Sequence, residues 1–196
     1  MPMSNLRKQA LANALGDPEE SVRMAAAEAL ERLEATLSFD DILQALKSGS
    51  RDQQVRAIYA LELIDSPRVF PPLLAALKVR DPDIRSTAVQ VLGKKKNPQT
   101  LKSLVRHLKD PSPAVCVHTA EALGNFHDHR LVTFLAAVLR EEDPELVKSA
   151  VCSLGRIGSP EAEADLIPLL NDPRSVIRQE AAIALGRLRI EDPSAN

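Results

Sequence analysis

All four histidines of this 196-residue chain lie between His107 and His129, with Cys116 among them, so the first chemistry to test is metal ligation. The spacing argues against it. Cys116 and His118 are two residues apart, which on a helix points them in different directions. His118 and His127 are nine apart, roughly 13 Å along a helix axis, too far to share an ion. His127, Asp128 and His129 could grip a metal weakly at a loop tip, but no spacing in the chain matches a zinc site. The second chemistry is a nucleophilic thiol. Cys116 and Cys152 fall at different heights on what read as neighbouring helices. The residues around them assemble neither a base nor an oxyanion pocket, so ordinary half-buried thiols are expected. No catalytic residue, cofactor or metal site follows from the sequence.

A strict period must position these side chains. Leucine recurs at Leu30, Leu61, Leu92, Leu123, Leu154 and Leu185, a constant step of about 31 residues. Two further columns keep step, one at Leu15, Leu46, Leu77, Leu108, Leu139 and Leu170, the other at Leu11, Ile42, Leu73, Leu104, Leu135 and Leu166. Three columns obeying one period without an insertion define a repeat protein. Each unit reads as two helices. In the fourth, Leu101, Leu104, Val105 and Leu108 recur at three- and four-residue steps and give helix A. Val115, Thr119, Ala122 and Leu123 give helix B, and Gly124 reads as its C-terminal stop. Asp-Pro pairs at 17–18, 81–82, 110–111, 143–144 and 172–173 punctuate the turn before helix B: Asp accepts from free N–H groups and Pro tolerates the first turn. The second unit has Ser48-Gly49-Ser50 there, so the start of its helix B is the least defined boundary. The units fall at about 5–35, 36–66, 67–97, 98–128, 129–159 and 160–190, with a short tail at 191–196. A two-helix unit cannot enclose its own apolar stripe and must lean on its neighbours.

Hydrophobic residues make up 44% and aromatics only 3%, with no Trp, so the core is expected to be Leu, Ile, Val and Ala. No apolar run suits a secretory signal or a membrane span, and two cysteines make no disulfide framework, so a cytoplasmic protein is expected. Net charge is −2 overall but uneven: residues 66–110 carry +7, while 1–65 carry −4 and 111–196 carry −5. Such asymmetry concerns partners rather than fold.

The segments DPDIRSTAVQVLGK (Asp81 to Lys94) and DPRSVIRQEAAIALGRL (Asp172 to Leu188) resemble HEAT repeats of the short, bacterial, phycobilin-lyase-like kind, and the resemblance runs over about residues 5–190. It implies an all-α fold, a right-handed α-solenoid of six two-helix repeats of about 31 residues each, with B helices lining the concave side as a protein-binding surface. HEAT arrays serve many tasks, so the likeness is weak for function. Deoxyhypusine hydroxylase, which resembles this fold, holds a di-iron centre with His-Glu pairs at the first turn of several B helices. The corresponding pairs here are Met24-Ala25, Val55-Arg56, Ser86-Thr87, Val117-His118, Lys148-Ser149 and Gln179-Glu180. Only Glu180 could serve, so that activity is not expected. The sequence also resembles bilin lyase subunits, but only in the repeats, and no residue is identified that would hold a bilin.

Counting about 100° per residue along helix B separates Val115, Thr119 and Leu123, which read as core, from Val117, His118, Glu121 and Asn125. Extended through the units, the second set gives the candidate partner-binding row: Tyr59, Ser86, Gln90, Lys94, Val117, His118, Glu121, Asn125, Lys148, Cys152 and Arg156. Tyr59, the only tyrosine, is either an anchor or a filler of the irregular second unit. Arg23, Arg85 and Arg178 share one repeat position and are expected to pair with turn aspartates of their own or a neighbouring unit. Cys116 and Val147 interrupt that ladder. Lys95 stands where Leu33, Ile64, Phe126, Ile157 and Leu188 stand elsewhere. With Lys94 and Lys96, and with Lys78, Arg80, Lys102, Arg106 and Lys109 nearby in sequence, it forms either an anion-binding edge on the middle units or a solvated loop and helix ends. The expected partner is a protein, and the basic middle segment suits one with an acidic surface. Nucleic acid is disfavoured because the ends are acidic and aromatic platforms for bases are lacking.

Overall fold

A computed structural model describes residues 3–189, and within them all regular structure is helical. The tail at 191–196 lies outside the described residues. The helices are α1 (Met3–Ala14), α2 (Glu20–Ser48), α3 (Arg51–Leu63), α4 (Phe70–Ala76), α5 (Pro82–Lys95), α6 (Leu101–Arg106), α7 (Pro113–Gly124), α8 (Val132–Ala136), α9 (Pro144–Ile157), α10 (Glu163–Leu166) and α11 (Ser175–Leu185). From residue 67 onward the A elements α4, α6, α8 and α10 are short and each is entered through a 3-10 turn, whereas the B helices α5, α7, α9 and α11 are long.

The chain divides into two packing units, one ending at Ala57 and the other starting at Ile58, so the division falls inside α3. In the first, α1 packs on α2. Helix α2 runs straight through 35–36, where the period places a boundary between units. The cause is local: between Pro18 and Gly49 the chain has no proline or glycine, and Ala, Leu and Glu dominate, all strong helix formers. The break comes at Gly49, where an added Cβ would lie 2.4 Å from the Ala45 carbonyl oxygen. Helix α3 then opens with a reciprocal capping box. The Ser50 N–H donates to Gln53 Oε1 at 2.8 Å and the Gln53 N–H to Ser50 Oγ at 3.4 Å, which resolves the boundary that the sequence left least defined.

In the second unit the B helices stack in order, α5 on α7, α7 on α9 and α9 on α11. Leu61, Leu92, Leu123 and Leu154 of the first leucine column are fully buried, as are Leu73, Leu104, Leu135 and Leu166 of the third. The turn aspartates behave as their chemistry requires. The carboxylates of Asp81, Asp110, Asp143 and Asp172 each accept from the backbone N–H two residues on, at 2.8 to 2.9 Å.

The glycine that closes the leucine motif does a different job from the one expected. Gly124 is the last residue of α7, but Gly93 and Gly155 lie inside α5 and α9, and none of the three has a positive φ. The left-handed residues come three places later, at Lys96, His127 and Gly158. What the glycines provide is close approach. A Cβ on Gly93 would sit 2.6 Å from Cβ of Ala122, one on Gly124 2.5 Å from Oγ of Ser153, and one on Gly155 2.9 Å from Cα of Ala184. Gly93, Gly124 and Gly155 therefore meet Ala122, Ser153 and Ala184, and each facing pair sets the distance between two successive B helices.

Candidate functional site

Side chains on the non-core flank of successive B helices reach one another across the repeats. Tyr59 Oη donates to Gln90 Oε1 at 3.2 Å, and Lys94 Nζ donates to Glu62 Oε1 at 2.9 Å. Arg156 reaches the Glu121 carbonyl at 3.4 Å, while His118 and Glu121 face each other at 3.1 Å on α7. Cys152 Sγ donates to Glu180 Oε2 at 3.2 Å. Between α5, α7 and α9 lies an open cleft of about 360 Å³ lined by Gln90, Lys94, His118, Glu121, Ala122, Asn125 and Arg156.

Six residues of the candidate row thus share one cleft. Tyr59, 43% exposed, joins it through Gln90. Lys148 is half-buried and pairs with Glu145 at 3.7 Å, and Val117 is half-buried. Ser86 is 8% exposed and offers almost no contact area. Glu62 and Glu180 bond to residues of this row but are absent from the row read from the sequence. For Glu62 the available signal was charge complementarity with Lys94 one repeat on; for Glu180 it was only an acceptor one repeat after the Cys152 thiol.

The arginine ladder is structural, with a partner different from the one expected in two cases. Arg85 grips Asp110 of the next repeat through two bonds of 2.8 and 2.6 Å and also donates to the carbonyls of Val79 and Arg80. Burial raises the Asp110 pKa, but the hydrogen bonds from Arg85 and the Ser112 N–H, with the charges of Arg85 and His107, bring it below the ordinary value. Removing either member would leave the other's charge without its ionic partner in a part-buried site, at a cost of about 1 to 3 kcal/mol. Arg23 and Arg178 instead donate to turn carbonyls, Asp17 and Pro18 in one case, Asp172 and Pro173 in the other. Where Cys116 interrupts the ladder, its thiol donates to the Asp110 carbonyl at 3.2 Å, the same six-residue relation.

The lysine run is largely engaged. Lys95 Nζ donates to the Ile64 carbonyl at 2.6 Å, so the charge that displaced an apolar residue caps the end of α3. Lys94 is held by Glu62, and Lys96 takes the left-handed position after α5. Among the described residues no three His, Cys, Asp or Glu side chains gather closely enough to hold a metal ion, and no helix is long and apolar enough to cross a membrane. His127 Nδ1 meets the Arg156 carbonyl, which ties that loop to the next repeat.

These features define a helical repeat array, an α-solenoid. The family described as HEAT repeats matches residues 39–115, 70–153 and 134–195, and a single HEAT repeat matches 9–37. The chain belongs to the HEAT-repeat family. No curated protein matches it. Among solved structures it is similar to the complex of CpcE and CpcF of phycocyanin lyase from Nostoc sp. PCC7120, with TM-score 0.67 and 22% identity; the match covers 76% of this chain and 64% of that one. It is also similar to YibA of E. coli, with TM-score 0.63, 19% identity and coverage of 93% and 72%. A third is a designed armadillo repeat protein in complex with the peptide (KR)4, with TM-score 0.59, 16% identity and coverage of 92% and 98%. At these identities the likeness is one of fold.

Proposed function

We propose that this HEAT-repeat scaffold is a non-catalytic adaptor that grips a partner protein along the non-core flank of its B helices. The observation that carries this reading is convergence: three successive B helices contribute Gln90, Lys94, His118, Glu121, Asn125 and Arg156 to one cleft of mixed polarity. Mixed donors, acceptors and both signs of charge suit a protein surface better than a small apolar ligand. A designed repeat protein of similar fold holds a peptide, which supports reading such an array as a binder of other chains. The experiment is a pull-down from the native cell extract with the wild-type chain, Tyr59→Ala and His118→Ala. Loss of the same captured protein with both variants is expected, and an unchanged captured set rejects the row as the binding face.

A second reading, a bilin-handling subunit, draws on the fold shared with the phycocyanin lyase complex. It predicts a visible-range absorbance change when bilin is added to the purified chain. The adaptor reading predicts none.

A further inference from the structure

A second cleft, of about 510 Å³, opens between the A elements of the fourth and fifth repeats, within the size range of about 300 to 1,000 Å³ typical of ligand sites. Its floor is apolar: Leu101 and Val105 of α6, and Leu131 and Phe134 at the entry to α8 and within it. Phe134 is 47% exposed. The repeat does not require an aromatic there, since the equivalent residues are Asp41, Pro72, Ser103 and Asp165. The rim is equally irregular. Lys102 corresponds to Pro71, Thr133 and Ala164, and Arg106 to Ala75, Ala137 and Pro168. Three departures from the period, one aromatic and two cationic, therefore meet at one cleft, and the core columns of the fold account for none of them.

The charge at the rim has a definite sign. Asp128, the carboxylate in the lining, is neutralised by Arg130 at 2.6 Å. Lys102 and Arg106 are exposed, and among the described residues neither is engaged in a hydrogen bond or ion pair. The basic middle segment spends Arg85 on Asp110, Lys94 on Glu62 and Lys95 on a carbonyl. Lys102 and Arg106 are not spent in this way, so unmatched positive charge stands at the rim of this cleft. An apolar floor with an exposed aromatic and an arginine, rimmed by unmatched positive charge, has the composition of a protein interface that selects acidic partners.

We infer that this cleft docks a short acidic peptide segment of a partner protein, with one aromatic or long aliphatic side chain packed against Phe134 and Leu131 and carboxylates facing Lys102 and Arg106. This surface is separate from the B-helix cleft, and either could fail without the other. The probe is a fluorescein-labelled peptide EELFEE titrated with the full chain and read by fluorescence anisotropy. Saturable binding is expected, weakened about tenfold or more by Phe134→Ser and by Arg106→Glu and unchanged by Lys94→Glu on the B-helix row. Ser103 already occupies the position equivalent to Phe134, and Arg106 is exposed, so both variants are expected to fold, with circular dichroism and melting as the check. Raised salt is expected to weaken binding without abolishing it, because the apolar contact remains. The proposal is overturned if EELFEE does not bind, if KKLFKK or EEGGEE binds equally well, or if Phe134→Ser and Arg106→Glu bind like the wild type.

Discussion

Cys152 shows how one side chain is assigned away from chemistry. Its thiol is half-buried and donates to Glu180 Oε2 at 3.2 Å. Burial, then the hydrogen bond to Glu180 and its negative charge, push the thiol up to about 11 from an ordinary 9.0, against the weaker pull of Arg156 and Lys148. Only the thiolate attacks, so at neutral pH the reactive fraction is about 100-fold below that of an unperturbed cysteine. Iodoacetamide labelling at pH 8, read by mass spectrometry, should be slower at Cys152 than in a free peptide by about that factor. Glu180→Gln, which removes the charge but keeps the burial, should recover about tenfold. Labelling of the wild type at the free-peptide rate would refute the assignment. The sign for stability follows from proton binding: above pH 9 the unfolded chain loses this proton before the folded one does. The contribution is therefore whole below about pH 9 and declines as pH rises toward about 11. Burial also pushes up the thiol of Cys116, whose donation to the Asp110 carbonyl makes it a substitute for the ladder arginine.

Among the helices, the deciding quantity is how closely neighbours approach. Gly124→Ala would place a Cβ 2.7 Å from Cβ and 2.9 Å from Cα of Ser153, backbone that cannot swing aside. Helices α7 and α9 would have to separate, straining the buried bond from Ser153 Oγ to the Ala120 carbonyl at 2.8 Å. A loss of about 3 kcal/mol is expected. Gly186, two repeats later in the same column, meets only carbonyl oxygens at 3.6 and 3.7 Å. Gly186→Ala should be neutral or gain up to about 1 kcal/mol by restricting the unfolded chain. Urea midpoints of the two variants test this, and a Gly124→Ala protein as stable as the wild type would remove the packing argument. The leucine columns were legible because burial repeats with the period. The role of the glycines was not, because a glycine at the end of an apolar run looks the same whether it stops a helix or admits a neighbour, and the residue it meets belongs to the next repeat. The continuous α2 was missed for the converse reason: the period assigned a boundary to a segment with no residue able to break a helix. In the B-helix cleft, angular arithmetic put Gln90, His118 and Asn125 on the lining flank but left out Glu62, which holds Lys94 and stands where later repeats have the glycine. Phe134 was readable in principle as an aromatic among Asp, Pro and Ser equivalents.

At the scale of the whole chain, a repeat array is stabilised by each repeat and its contacts with neighbours, so stability follows local packing rather than spreading evenly. In the second unit, Leu92, Leu123 and Leu154 are fully shielded and close-packed glycines draw the B helices together. In the first unit the buried apolar side chains among the described residues come down to Ala26, Phe39 and Ala57, while Leu6, Leu15, Val22 and Met24 are 39 to 68% exposed. Leu30 and Leu46, members of the same columns, are only half-buried. Glu62 holds the position that becomes glycine from Gly93 onward, so the close glycine contacts between B helices start with α5. Local opening costs least where few apolar contacts must be broken. Amide hydrogen exchange should therefore protect α5, α7 and α9 most, with α1 and the N-terminal half of α2 exchanging about 100-fold faster or more, which corresponds to roughly 2.7 kcal/mol less opening free energy. Equal protection of α1 and α7 would contradict this gradient. Both candidate surfaces lie on the well-packed repeats, so a partner that docked there would meet less opposing ordering entropy than one on α1 or α2.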